Sequence, residues 1–175
     1  MPYKGLIMAI LISPMIVPLI ITAAGMFFFY ARINLVYTFT GVILAHVALA
    51  TPFVVITVTA TLVGFDMNMV KAAQSLGAKP MRTFFKVIMP LILPGIISGA
   101  LFAFITSFDE VVIVMFMASI DQLTIPKQMW AGIRQEISPV ILCMATCLVL
   151  LSIYLLTTGE LLRRRSEKLR GIKAR

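Results

Sequence analysis

Of the 175 residues, 61% are hydrophobic and 13% charged, and a mean hydropathy of +1.04 excludes a soluble globular domain, in which roughly a quarter of residues carry charge. The net charge of +8 does not point to nucleic acid, because the basic residues gather at the ends of apolar segments without aromatic residues interleaved on a polar face. The chain reads as an all-α integral membrane protein, and its 9 Pro and 10 Gly suit kinked, closely packed membrane helices.

In chain order, the first span is expected at residues 6–29. The apolar run after "MPYKG" is too long for the apolar region of a signal peptide and ends without a small-residue cleavage site, so it reads as a resident helix. The second span, residues 36–65, exceeds the ~20 residues that cross a bilayer, and is expected to tilt or to begin in the interface. It carries His46, a lone histidine with no acidic residue near it in sequence, better suited to hydrogen-bonding a neighbouring helix than to relaying protons.

A polar loop, "DMNMVKAAQSLGAKPMRT", follows at about 66–83. Asp66 is a good N-cap, and the strong helix formers after it predict a short helix over 67–76. Gly77 readily takes the left-handed conformation that ends a helix, and Pro80 fits the first turn of the next. The expected shape is helix, sharp corner, helix. Met69, Ala72, Ala73 and Leu76 share one face of the first helix. That face would insert into a groove on a second protein, or the helix would lie on lipid with its lysines toward headgroups.

The third span is expected at 84–108. Pro90 and Pro94 favour a kink, and Gly95 and Gly99 form a GxxxG face for close helix approach. The next segment, 109–138, holds four of the seven acidic residues. Within it "VVIVMFMA" is too short to span, so it continues the third helix or forms a half-inserted segment. "TIPKQMWAGIRQEISP" then predicts an amphipathic surface helix starting near Pro126, with Met129, Ile133 and Ile137 at spacing four. The fourth span is expected at 139–156; its Cys143 and Cys147 fall on one face as small core residues. Twelve of the fifteen basic residues lie on one side if the amino terminus is cytoplasmic, which places the carboxy terminus there too. One multi-pass membrane domain, residues 1–162, thus precedes a basic cytoplasmic tail, 163–175.

Ala72, Ala73, Gly77 and Pro90, at their intervals, resemble the EAA motif of the permease subunits of bacterial binding-protein-dependent ABC importers. Lys71 stands where that motif has glutamate, and Val87 and Met89 replace its usual Ile and Leu. The resemblance covers almost the whole chain, and "LPGIISGALFAFITSFDEVVIVMF" and "LTIPKQMWAGIRQEISPVILCMAT" look most like the polyamine (spermidine/putrescine) branch. It implies the last four spans of a normally six-span permease, so the chain looks truncated at its amino terminus or assigned a late start. It further implies a coupling helix docked in a cytoplasmic ABC ATPase dimer, a second permease subunit, a periplasmic substrate-binding protein and a place in the bacterial inner membrane. Lys71, Ala72, Ala73, Gly77 and Pro90 would couple to the ATPase; a lysine would repel a basic groove that a glutamate attracts.

An importer needs a path and a link to ATP, not covalent chemistry. No HExxH, GxSxG or P-loop sequence occurs, so no catalytic residue, metal site or bound cofactor is expected, and the partner would use the ATP. Candidates for the substrate path are Ser107, Asp109, Glu110 and Trp130. The acidic pair suits a polyamine's ammonium groups, or it is solvated outside the bilayer, or it pairs with Arg134. Trp130 would offer a cation–π face or anchor the interface. The alternatives are an importer of another small solute (opine, thiamine, ferric iron) and a non-transporting fragment or scaffold.

Overall fold

The computed structural model describes residues 3–135 and 138–168, so Ile137 of the predicted amphipathic face and the tail beyond 168 lie outside the described residues. Every regular element among the described residues is helical.

The expected first span is two helices, α1 (Lys4–Ile16) and α2 (Leu19–Arg32), bent by 110°. Pro18 is the cause. It has no N–H to continue the helix, and its ring drives Val17 into extended backbone, φ −75° and ψ 136°. Helix α3 (Phe39–Val63) starts where Thr38 Oγ1 accepts from Gly41 N at 3.0 Å, and buries Pro52 midway. Helix α4 (Met67–Ser75) and the single turn α5 (Pro80–Thr83) flank Gly77. From α5 the chain passes through a π-helical turn (Phe84–Ile88) into α6 (Met89–Phe108), making one apolar rod over Pro80–Phe108. Met89 N–H donates to Phe84 O, five residues back. This wide turn sits just ahead of Pro90, whose ring would clash with the carbonyl four residues before it in a regular helix.

The segment "VVIVMFMA" does not continue the long helix. It forms a separate helix, α7 (Val112–Met117), whose Ile113, Val114 and Met117 are fully buried. Ile113 and Met117 join Ala23 of α2 and Ala45 and Leu49 of α3 in the core cluster. Side chains close both ends of α7: Ile113 N donates to Glu110 Oε1 at 2.7 Å, and Lys127 Nζ donates to the carbonyls of Ala118 and Ser119 at 3.3 Å. Tyr37 N bonds Met117 O at 2.9 Å, and Gln122 Nε2 returns a bond to Tyr37 O. Helix α8 (Ile125–Gln135) begins one residue ahead of Pro126, as the amphipathic pattern predicts. Helix α9 (Pro139–Lys168) runs beyond the predicted span; its Cys143 and Cys147 are free thiols on the exposed side, not core residues.

The GxxxG face of α6 meets α3. A Cβ on Gly99 would lie 3.1 Å from Val54 Cα, and one on Gly95 would lie 3.1 Å from Thr57 O and collide with Thr61 Oγ1. Thr57 and Thr61 donate their hydroxyls to Phe53 O (2.8 Å) and Thr57 O (2.9 Å), so the facing surface of α3 is narrow and its polar atoms are satisfied. Helices Phe39–Val63, Pro80–Phe108 and Pro139–Leu162 are each long and apolar enough to span, and the bent α1–α2 pair makes a fourth if it is one span.

Candidate functional site

Two regions hold the residues singled out from the sequence, one at each end of the rod Pro80–Phe108. At the first end, Asp66 Oδ1 accepts from Asn68 N at 2.9 Å and starts α4. The helix closes by two backbone bonds, Gly77 N to Gln74 O (2.9 Å) and Ala78 N to Ala73 O (3.0 Å), with Gly77 at φ +80°. This is the paired pattern that a left-handed residue past the helix end permits. Buried Thr83 braces the corner from inside, its N–H on Lys79 O at 2.9 Å. Lys71 and Ala72 are exposed and Ala73 is half-buried. Leu76 is 89% exposed, and Met69, Met81 and Phe85 are exposed near it. The predicted apolar face therefore does not fold back on the chain. Pro90, also exposed, sits at the start of α6 beyond the π turn.

At the other end the structure separates the four path candidates into two grooves. Ser107 and Glu110 line a groove of about 520 Å³ together with His46, Val42, Phe104 and Ile125. Asp109 and Trp130 line a second, of about 510 Å³, closed by Met129, Ile133 and α9. Glu110 is 7% exposed despite its charge, and its bond from Ile113 N meets only one carboxylate oxygen. Asp109 is exposed. Neither carboxylate reaches Arg134. The Arg134 guanidinium instead lies over the Trp130 ring, 5.6 Å from its centroid, and Trp130 remains 46% exposed.

His46 makes the helix-to-helix bond expected of it, Nδ1 to Ser107 Oγ at 2.8 Å between α3 and α6. The partner was not legible from sequence, because the two residues lie 61 positions apart. Thr57 and Thr61, which face the glycines, were also missed, although their spacing of four was a signal equal to GxxxG itself. Among the described residues no group of three His, Cys, Asp or Glu side chains is placed to hold a metal ion.

The chain resembles known proteins over nearly its whole length. It is 29% identical over 164 residues to the spermidine/putrescine transport system permease protein PotC of Haemophilus influenzae, covering 94% of this chain and 62% of that protein. It is 36% identical over 106 residues to the putrescine transport system permease protein PotI of Escherichia coli K12, covering 61% of this chain and 38% of that one. The chain thus spans under two thirds of the length of these relatives. Among solved structures, an inward-facing MetNI methionine ABC transporter shares the fold, with a TM-score of 0.71 at 20% identity over 93% of this chain and 73% of that one. A family profile matches residues 2–168. With its all-helical membrane fold, exposed corner and near full-length match, the chain belongs to the family of binding-protein-dependent transport system inner membrane components.

Proposed function

We propose that this chain is a permease subunit of an ATP-driven importer that moves a polyamine such as spermidine or putrescine across the inner membrane. The observation that carries the reading is mechanical: an exposed apolar corner around Gly77 is joined by one helical rod to Ser107 and Glu110 at its far end. The similarity to permeases named for spermidine and putrescine supports the substrate class, and the buried carboxylate of Glu110 is the charge a cation would seek.

In this reading Lys71, Ala72, Ala73, Leu76 and Gly77 dock in a cleft of a cytoplasmic ATPase, two copies of which bind and hydrolyse ATP. This chain binds no cofactor and does no covalent chemistry. A second permease subunit completes the cavity, and a periplasmic binding protein delivers the solute. Closure of the ATPases pushes the corner, Pro90 and the rest of α6 follow, and the groove at Ser107 and Glu110 opens outward. Hydrolysis resets it. Asp109 and Trp130 flank the path from the neighbouring groove. The gathering of twelve of the fifteen basic residues on one side supports a cytoplasmic corner and carboxy terminus.

The test is copurification followed by uptake. The tagged chain is expressed with its operon's ATPase and partner subunits, with and without Gly77→Asp, and labelled putrescine uptake is measured. ATPase recovery that the substitution abolishes, with uptake in the unmodified complex, is expected. A folded chain that recovers no ATPase would leave a scaffold or inactive fragment, and uptake of an opine, thiamine or ferric iron in place of putrescine would overturn the substrate.

A further inference from the structure

We propose that His46 is a positioning residue for substrate passage, holding the Ser107 hydroxyl so that its lone pairs and the free oxygen of Glu110 together receive a primary ammonium group. The proposal rests on the polyamine reading above. His46 Nδ1 lies 2.8 Å from Ser107 Oγ, and both line the groove that Glu110 lines.

Ser107 differs from three threonines of α3. Thr51, Thr57 and Thr61 each donate to the carbonyl four residues back on their own helix, whereas the bond Ser107 makes among the described residues crosses to His46. When the serine O–H donates to Nδ1, both hydroxyl lone pairs stay available to accept from a cation. In the opposite tautomer, Nδ1–H occupies one lone pair and the serine hydrogen faces the incoming ammonium. The first arrangement offers a cation two lone pairs where the second offers at most one, and it requires an acceptor at the Nδ1 position.

Glu110 supplies the charge. It is 7% exposed, and its cap to Ile113 N uses Oε1, so among the described residues the second oxygen has no hydrogen-bond donor. Val42, Ile43, Phe104 and Phe108 supply much of the apolar wall, and Thr124 adds one further hydroxyl. A carboxylate and a hydroxyl set into an apolar groove suit a linear chain of methylenes ending in ammonium, and disfavour anions. His46 orients the Ser107 hydroxyl.

The experiment measures putrescine uptake by the assembled transporter carrying His46→Asn, His46→Gln or His46→Leu, with ATPase recovery as the control for assembly. The asparagine amide oxygen can occupy the place of Nδ1, while the glutamine amide reaches the place of Nε2. His46→Asn is expected to keep KM within about twofold, and His46→Gln and His46→Leu to raise it about tenfold or more, the scale of one hydrogen bond serving a charged group. If asparagine and leucine behave alike, both normal or both defective, the positioning role is wrong. Should the leucine variant fail to assemble, the order of asparagine and glutamine decides. An assembled unmodified complex that takes up no putrescine removes the polyamine reading and this proposal with it; uptake with the wrong order of variants removes this proposal alone.

Discussion

The α3–α6 seam makes a quantitative test of the packing. Gly99→Ala puts a methyl group 3.1 Å from Val54 Cα and 2.5 Å from Thr57 Oγ1. The hydroxyl can turn away only by giving up its 2.8 Å bond to Phe53 O, and the backbone atom cannot turn at all. Overpacking of this kind costs about 1–3 kcal/mol, offset by about 1 kcal/mol of helix propensity gained over glycine. The net loss of about 0–2 kcal/mol corresponds to a drop in Tm of up to roughly 8 °C, at about 2–4 °C per kcal/mol for a chain of this size, and to a stability about 1–3 kcal/mol below that of a glycine-to-alanine change made where there is room. The assay is thermal unfolding in detergent followed by size exclusion. Gly25→Ala is the internal control, since a Cβ there meets nothing within 4 Å, and it should melt at or slightly above the unmodified chain. Gly95→Ala should behave like Gly99→Ala and be partly restored by Thr61→Ala, which removes the colliding oxygen. Equal melting of Gly99→Ala and Gly25→Ala would refute the seam as drawn.

Gly77→Ala meets no atom within 4 Å, so its penalty is the left-handed backbone alone, about 1–2 kcal/mol; Tm should fall by roughly 2–8 °C and ATPase recovery several-fold, and unchanged recovery would mean the corner tolerates other geometries. Leu76→Glu should abolish recovery without lowering Tm, because the side chain is 89% exposed; a lower Tm would show that Leu76 packs within the fold. Glu110→Gln keeps an oxygen to accept from Ile113 N and removes the charge, so Tm should hold while putrescine uptake drops about tenfold or more. Full uptake in that variant would sink Glu110 as a cation ligand. Single cysteines at Ser75 and Ile120, in a chain lacking Cys143 and Cys147, should be labelled by a membrane-impermeant thiol reagent in intact cells only at position 120; labelling at 75 would reverse the orientation.

Local chemistry made the corner legible. Asp66, Gly77 and Pro80 each act within a few residues of themselves, and a cap, a positive φ and a first-turn proline need no tertiary information. Hydropathy likewise placed α3, the long rod and α9, because length and apolarity suffice for a span. What failed depends on how segments meet. The apolar run 6–29 has the composition of one span, and only the extended Val17 ahead of Pro18 shows that the chain turns there. The run 111–118 is as apolar as its neighbours; its end as a short buried helix is set by Glu110 and Lys127, which cap it from opposite ends. Asp109 and Glu110, adjacent in sequence and read as a pair, leave the end of α6 in different directions and enter separate grooves. Adjacency beyond a helix end carries no promise of a shared site.

The same geometry limits how the corner can act at a distance. The rod from Pro80 to Phe108 has 29 residues, about 43 Å at 1.5 Å per residue, and glycines lock its middle to α3 at contacts that leave no room for sliding. A push at Gly77 therefore moves α3 and α6 together. The compliant points lie elsewhere, at the π turn Phe84–Ile88 between corner and seam, and at the break before Pro18 between α1 and α2. The first lets the corner change its angle without opening the seam. The second turns the chain by 110°, so that α2 packs with α7 in the core cluster while α1 lies along α3. His46 and Ser107 join α3 to α6 beyond the seam, at the groove end of the same pair of helices. A movement that carries α3 and α6 as one keeps their hydrogen bond intact, so His46 and Ser107 stay in register, whereas Glu110, which caps α7, is free to change its distance from them.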